Sequence, residues 1–294
     1  MTNTLTDFSN DLAQIVATVG NAVVKVDARR RLPASGIVWS ADGLILTAHH
    51  VVKGDKAEIG LADGQNVTAK LVGRDPGTDI ALLKAEATGL APAGWHDTAQ
   101  VGNFVLALGR PGKSVQATFG IISAVGGEWR TPAGGKIDRY LQTDVLMYPG
   151  FSGGPLAAAD GQLLGLNTSA LLSGVSVAIP AGNIRRTIES LLAHGHIKRG
   201  YLGVSTQTAR LPQPIAEQAG QETGLLVVAV EPGSPAEASG LTLGDTILSL
   251  DGVVVRHHDD LLATLTGERV GNKVPMGLLR GGELRTLNVT IGQR

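Results

Sequence analysis

Apolar residues near the N-terminus recur at helical spacing. They stand at i, i+4, i+7, i+8 and i+11, namely Phe8, Leu12, Ile15, Val16 and Val19. This spacing lines one face of an amphipathic helix, and Gly20 is suited to end it. The pattern predicts a helical segment within residues 1–21. A second helix is predicted to run to about Ala193, from the apolar positions Ile184, Ile188, Leu191 and Leu192, with Gly195 as its cap.

Between Ala22 and Pro180 the pattern changes to short β-rich runs separated by turns. Examples of these runs are GIVW (36–39), LILTA (44–48), KAEIGL (56–61), VTAKLVG (67–73), IALLK (80–84), FVLALG (104–109), GIISAV (120–125), YLQTDV (140–145), LLGLNT (163–168) and VSVAIP (175–180). Ala-Asp-Gly recurs at three of the turns, and Asp-Gly between apolar runs is typical of hairpins. So many short strands predict antiparallel barrels or a sandwich, not a parallel sheet.

Composition and charge exclude several classes of function. The 294 residues carry 17% charged side chains and a formal net charge of −1, so no broad basic surface indicates nucleic acid as a partner. No apolar run reaches the ~18 residues of a membrane span. Zero cysteines exclude disulfides, thiolate–metal sites and a cysteine nucleophile. The sequence MTNTLTDFSN lacks the order of a signal peptide, which predicts a cytoplasmic location as encoded; the alternative is the cell envelope if a leader was removed.

The segment PGFSGGPL (149–156) sets a serine among glycines and allows two interpretations. Gly150 to Gly154 matches G-x-S-x-G, the nucleophile elbow of α/β-hydrolases. That elbow needs a helix directly after the serine and the order serine, acid, histidine. Gly153-Gly154-Pro155 is poor helix material, and the surrounding pattern predicts hairpins. The elbow interpretation is therefore disfavoured.

The other interpretation is a serine protease with the order histidine, aspartate, serine. His50 in TAHHVV, Asp79 in DPGTDIALLK and Ser152 stand in that order. A serine hydroxyl needs an imidazole to take its proton, and the imidazole needs a carboxylate to fix its tautomer. Glycine before the serine lets the backbone turn, so the N–H groups of Gly150 and Ser152 are the candidate oxyanion hole.

Five blocks in sequence resemble the HtrA (Deg) family of serine endopeptidases: TAHHVV, DPGTDIALLK, LQTDVLMYPGFSGGPL, GLNTS and VAIP. The likeness extends from about Val23 to Ile291. The family has its catalytic histidine directly before Val-Val, which identifies His50. His49 is interpreted as a bystander on the other face of the strand, because neighbouring side chains of a strand point to opposite faces.

The resemblance implies a mostly β fold, a chymotrypsin-like double antiparallel β-barrel followed by a small α+β PDZ domain. The expected division is an N-terminal helical segment (1–21), a trypsin-like protease domain (22–196) and a PDZ domain (197–294). It also implies ATP-independent cleavage of unfolded proteins after small aliphatic residues, a pocket shaped by Asn167 to Ser176, and a homotrimer or a multiple of it. The N-terminal stripe with Phe8 is the expected trimer contact or, equally, an intramolecular clasp. No metal or organic cofactor is expected.

The C-terminal unit resembles one PDZ domain. The segment RGYLGV (199–204) matches the family's carboxylate-binding loop, formed by Tyr201, Leu202, Gly203 and Val204. The resemblance implies that backbone N–H groups of this loop hold the C-terminal carboxylate of a peptide, which adds a strand to the sheet edge. His257-His258-Asp259-Asp260 is interpreted as a helix start with acidic residues in its first turn, not as a metal site.

Two questions stay open. A protein of another class, a non-cleaving chaperone or pseudoprotease, would capture misfolded chains through the same PDZ groove. Phe151 stands where the family has asparagine. One hypothesis is that its ring packs against a neighbouring loop and makes the oxyanion hole depend on substrate or trimer contacts; the alternative is that the ring only fills a gap.

Overall fold

Two units make up the chain, residues 1–197 and residues 198–294. The computed structural model describes residues 4–29, 32–195 and 200–293. The expected domain boundary at 196–197 lies outside the described residues, as does His196, so that boundary stays a prediction.

The predicted N-terminal helix is present as α1 (Thr4–Gly20). Its apolar stripe packs on the core of the first unit through Leu12, Ile15 and Val16, and Val19 is fully buried there. Phe8 lies at the other end of the stripe. Its ring lies 5.6 Å from the Phe104 ring and 5.9 Å from the Phe119 ring, and all three rings stay at least one-third exposed.

The first barrel closes six antiparallel strands in the order β1-β2-β3-β6-β5-β4. These strands are β1 (Val23–Asp27), β2 (Ala34–Val38), β3 (Leu44–Ala48), β4 (Lys56–Gly60), β5 (Asn66–Asp75) and β6 (Ile80–Ala85). The pairing of β3 with β6 ends at Ala48 opposite Ile80, so the chain segments that follow β3 and precede β6 lie side by side. His50 and Asp79 lie in these two segments.

The second barrel closes six more strands in the order β11-β14-β13-β12-β7-β8. In chain order, with the small hairpin β9–β10 inserted after β8, the elements are β7 (Phe104–Gly109), β8 (Gln116–Gly126), β9 (Trp129–Arg130), β10 (Lys136–Ile137), β11 (Tyr140–Thr143), β12 (Pro155–Ala158), β13 (Leu163–Thr168) and β14 (Ser176–Pro180). Ser152 lies in the connection from β11 to β12.

The helix α2 (Ala181–His194) closes the first unit and ends at Gly195, whose φ of 75° is the left-handed conformation that glycine adopts readily. Ile184, Ile188 and Leu191 are buried as predicted. Leu192, the fourth apolar position that marked the helix, is 52% exposed. No helix in the described part of the chain has the length and apolar character to cross a bilayer.

The second unit is a sheet in the order β16-β17-β18-β20-β21, with its own apolar core. In chain order its elements are β15 (Gly200–Tyr201), β16 (Val204–Arg210), α3 (Gln213–Ala219), β17 (Thr223–Val230), α4 (Pro235–Ala238), β18 (Thr246–Leu250), β19 (Val253–Val254), α5 (His258–Thr264), β20 (Lys273–Arg280), β21 (Glu283–Thr290) and β22 (Gly292–Gln293). The strand β16 forms one edge of the sheet, and α5 packs beside it.

Candidate active site

A tight turn between β5 and β6 positions Asp79. The carboxylate of Asp75 closes this turn by accepting hydrogen bonds from the Gly77 N–H (2.9 Å) and the Thr78 hydroxyl (2.6 Å). Asp79 itself has a φ of 59° and is buried. Left-handed backbone is uncommon for a residue with a side chain and persists where the surroundings fix it, which is frequent at functional sites.

The Asp79 carboxylate is held by several donors. Oδ1 accepts the backbone N–H of His50 at 2.9 Å, and the ring Nδ1 of His50 lies 2.9 Å from Oδ2. The buried hydroxyl of Thr168 also donates to Oδ2, at 2.5 Å. A carboxylate only accepts, so Nδ1 carries the ring proton in neutral His50 and Nε2 is left with its lone pair. This tautomer is the one a general base needs.

Ser152 lies in the glycine-rich loop Gly150–Gly154. Gly150 has a φ of 98° and Gly153 a φ of 87°, both in the region that favours glycine. The Phe151 N–H donates to the Tyr148 carbonyl (3.0 Å), and the Gly154 N–H donates to the Phe151 carbonyl (2.9 Å). Within the described residues, the N–H groups of Gly150 and Ser152 donate no hydrogen bond. These two groups are free to bind an oxyanion.

Two consecutive residues with hydroxyl groups bind the aspartate and the serine, one each. Thr168 donates to Asp79, and the next residue, Ser169, shares a hydrogen bond with the Ser152 hydroxyl at 3.1 Å. Among the described residues, Ser152 Oγ forms this hydrogen bond with Ser169 and none with His50. The structure thus pairs His50 with Asp79 and directs the Ser152 hydroxyl to Ser169, the neighbour of Thr168, while the complete triad stays a prediction.

Phe151 is fully buried in the core of the second barrel. Its ring meets Tyr148 edge to face at 5.8 Å. A Cβ atom at Gly109 would lie 2.7 Å from the ring, so β7 needs a glycine there to accept it. The ring anchors the loop in the core; its regulatory role stays a hypothesis.

His49 is not on a strand, which corrects the premise on which it was separated from His50. Strand β3 ends at Ala48, and His49–Val51 forms a 3₁₀ turn. The His49 N–H donates to the Asp79 carbonyl at 3.0 Å, so its backbone helps to fix the aspartate. Burial lowers the pKa of His49, against the opposing effect of the Asp79 charge. Its ring Nδ1 is buried without a hydrogen-bond partner in the described structure.

The predicted carboxylate-binding loop follows β15 in the second unit. The Leu202 carbonyl accepts from the Ala236 N–H (2.9 Å), and the Gly203 carbonyl accepts from the Glu231 N–H (2.8 Å). Within the described residues, the N–H groups of Leu202 and Gly203 donate to nothing. The Tyr201 hydroxyl donates to Glu231 at 2.5 Å. The loop therefore offers donors beside Val204, the first residue of the edge strand β16.

The remaining polar clusters have structural partners. His257 caps α5, and the Asp260 carboxylate accepts the N–H groups of Arg256 (2.8 Å) and His257 (2.9 Å). This confirms the interpretation of that segment as a helix start. His96 lies 3.6 Å from Asp160.

Sequence reasoning missed three residues that contact the site. Thr168 and Ser169 belong to the GLNTS block, which was used for the resemblance and for the pocket but not for these hydroxyls. Ser35, in β2, donates from its hydroxyl to the Gly150 carbonyl at 2.7 Å. No local pattern distinguishes Ser35, because its partner is 115 residues away.

Two family models match different parts of the chain. A family model described as "Trypsin-like peptidase domain" matches residues 34–166, and one described as "PDZ domain" matches residues 200–291. A relative from Ectopseudomonas mendocina named "Probable periplasmic serine endoprotease DegP-like" is 39% identical over 269 residues, which are 88% of this chain and 56% of the relative. The chain thus spans little more than half the length of such relatives.

Solved structures match over nearly the whole chain. The serine endoprotease from Yersinia pestis has a TM-score of 0.76 and 31% identity, covering 96% of this chain and 97% of that one. An HtrA-type protease, AlgW with a decapeptide, has a TM-score of 0.74 and 30% identity, covering 96% and 98%. The double barrel and the C-terminal domain of this chain are therefore both found in solved proteins.

Proposed function

Because this chain belongs to the HtrA family of serine endoproteases, we propose that it hydrolyses peptide bonds with His50, Asp79 and Ser152. The observation that carries the proposal is the Nδ1–carboxylate hydrogen bond of 2.9 Å between His50 and Asp79. It leaves Nε2 as the acceptor for a serine proton. Asp79 orients His50 and stabilises its charged form, and Ser152 attacks the scissile carbonyl.

The oxyanion hole is formed by the N–H groups of Gly150 and Ser152. They donate no hydrogen bond within the described residues, as a preorganised site requires. In the resting arrangement the Ser152 hydroxyl is bonded to Ser169. Catalysis requires this hydroxyl to leave Ser169 and donate to His50 Nε2, a change that we assign to substrate binding.

The substrates are unfolded or damaged proteins, and the PDZ domain captures chain ends. Free N–H groups at Leu202 and Gly203 and the edge strand β16 support β-augmentation by a peptide with a free C-terminus. The triad geometry argues against the non-cleaving chaperone. The names of the relatives say "periplasmic", which favours the cell envelope over the cytoplasmic location expected from the sequence.

The assembly is a homotrimer or a multiple of it. Phe8, Phe104 and Phe119 form a cluster of three rings on the surface, each at least one-third exposed. Their mutual packing fits the intramolecular clasp, and their remaining exposure fits a further contact with another subunit.

The first test separates the protease from the chaperone. Ser152→Ala removes the nucleophile and should lower casein cleavage on the order of 10⁴- to 10⁶-fold. Wild-type protein should also react with a fluorophosphonate at Ser152, identified by mass spectrometry. Undiminished cleavage by the variant, or no labelling of wild type with substrate peptide present, contradicts the proposal.

The second test concerns the PDZ groove. A peptide with a free, apolar C-terminus should bind, and amidation of that terminus should weaken binding because it removes the charge held by the loop. Calorimetry on the inactive Ser152→Ala variant avoids cleavage of the ligand. Equal affinities for the free and the amidated peptide exclude the carboxylate loop.

A further inference from the structure

Ser35 belongs to the first barrel but donates to two carbonyls of the glycine-rich loop Gly150–Gly154, called the nucleophile loop below. Its hydroxyl donates to the Gly150 carbonyl at 2.7 Å, and its N–H donates to the Ser152 carbonyl at 3.2 Å. The side chain is fully buried. One residue thus holds the carbonyls of the same two residues whose N–H groups are left unpaired.

The direction of the Ser35 hydroxyl is fixed by its other partner. The backbone N–H of Arg110 donates to Ser35 Oγ at 2.7 Å. A hydroxyl has one proton, and with Arg110 supplying a proton of its own, that of Ser35 goes to the Gly150 carbonyl. The guanidinium of Arg110 bonds the carbonyls of Gly20 (2.8 Å) and Val23 (2.7 Å), which anchors this donor to the first barrel and to the end of α1.

This contact opposes a collapse of the oxyanion hole. The Gly150 N–H belongs to the Pro149–Gly150 peptide and the Ser152 N–H to the Phe151–Ser152 peptide, and the Gly150–Phe151 peptide that Ser35 holds links the two. If this middle peptide rotated away from Ser35, the two N–H groups would no longer point in a common direction. Glycine permits such a rotation, because Gly150 has no Cβ to restrict it. Rotation would leave the buried Ser35 hydroxyl without an acceptor, which is unfavourable.

We propose that Ser35 is a positioning residue of the oxyanion hole, acting through the carbonyls of Gly150 and Ser152. This inference rests on the proposed function and adds a residue that touches neither the substrate nor the reacting atoms. It also explains how the loop is oriented when the residue before the nucleophile is Phe151. The buried ring anchors the loop from the second barrel, and Ser35 fixes its peptide groups from the first.

The test compares Ser35→Ala with a matched control, Thr47→Val. The hydroxyl of Thr47 is also buried and donates to the Ser35 carbonyl at 2.7 Å, so its loss removes a hydrogen bond from the same place without freeing the loop. Removing one oxyanion donor costs roughly 10²–10³ in turnover, so a misdirected donor in Ser35→Ala should lower kcat by about 30-fold with KM changed less than about twofold. Thr47→Val should keep kcat within about threefold.

A transition-state analogue gives a second readout. An Ala-Ala-Val peptide aldehyde adds to Ser152 and places an oxyanion in the hole, whereas the matching peptide acid is a product analogue. Ser35→Ala should lower the affinity for the aldehyde by about the same factor as kcat, whereas its affinity for the acid should stay unchanged. Ser35→Thr, which keeps the hydroxyl, should retain most of the wild-type kcat and of the affinity for the aldehyde. If Ser35→Ala melts below the assay temperature, Ser35→Cys carries the same expectation, since a thiol is a weak donor.

The outcomes distinguish the two proposals. The role of Ser35 is overturned if Ser35→Ala and Thr47→Val have equal kcat values. It is also overturned if Ser35→Ala binds the aldehyde and the acid more weakly by the same factor. Either result holds even when Ser152→Ala is inactive. An active Ser152→Ala variant overturns the proposed function itself, whatever Ser35 does.

Discussion

The two barrels hold their halves of the site in different ways. On the first barrel, the Asp79 carboxylate accepts from the His50 backbone, the His50 ring and Thr168, at 2.5–2.9 Å. On the second barrel, the nucleophile loop is held by its carbonyls, and its functional groups are left open: two N–H groups without partners in the described structure, and a hydroxyl shared with Ser169.

This difference has a physical reason. The base side must stabilise a charge on an imidazole ring, and charge stabilisation is most effective when the dipoles are fixed beforehand. The serine side must form and break a covalent bond, so its hydrogen-bond donors must be available to the substrate and not engaged in strong bonds within the protein. The comparison suggests that the base is ready before substrate arrives and that the nucleophile becomes ready with it.

Among substitutions that leave the nucleophile in place, the largest effect is expected on the first-barrel side, where the donors fix Asp79. Asp79→Asn preserves shape, but its amide N–H₂ would donate to Nδ1 and place the ring proton on Nε2. The wrong tautomer of His50 cannot accept the serine proton, so kcat should fall by about 10⁴. Peptide hydrolysis and far-UV circular dichroism on the same sample measure activity and folding. A folded variant that keeps a tenth of wild-type activity would show that Asp79 is not the orienting carboxylate.

A smaller effect of opposite sign is expected on the open side. Ser169→Ala removes the partner that holds the Ser152 hydroxyl away from His50. One hydroxyl hydrogen bond contributes about 1 kcal/mol, so fluorophosphonate labelling of Ser152 should become about fivefold faster. Ser169→Thr keeps the hydroxyl and is the control. Slower labelling of the alanine variant would mean that Ser169 assists the nucleophile.

The sequence predicted the architecture because it depends on local patterns. The runs LILTA (44–48), FVLALG (104–109) and LLGLNT (163–168) match β3, β7 and β13 at both ends. The strands β1, β9, β10 and β12 are not among the runs quoted from the sequence. Pro155 begins β12 directly after the glycines of the loop, so periodicity had no room to appear.

The site was predicted in part, for a related reason. Residue type and order were sufficient to choose His50, Asp79 and Ser152 as candidates. The structure pairs His50 with Asp79 and bonds the Ser152 hydroxyl to Ser169, next to Thr168, which donates to Asp79. Contacts made by common residues across long separations give no signal in one sequence. Thr168 meets Asp79 across 89 positions, and the Ser35 hydroxyl meets Gly150 across 115. The assumption that β3 continues through both histidines was wrong, because no pattern marks a 3₁₀ turn of three residues.

The smallest effect on activity is expected at His49, which tests whether proximity to Asp79 is sufficient for a catalytic role. The hydrogen bond from His49 to Asp79 is made by the His49 backbone N–H, so His49→Ala keeps it. The variant should retain activity within about threefold of wild type. The pH dependence of its stability should change. Burial lowers the pKa of His49 below its ordinary 6.5, so the unfolded chain binds the proton more readily than the folded one. This contribution to stability is present above pH 6.5 and is lost as the pH falls toward the lowered pKa. Urea unfolding at pH 7.5 and pH 5 should therefore show a smaller acid loss for His49→Ala than for wild type. A loss of activity as large as that of His50→Ala would instead make His49 a second member of the catalytic group.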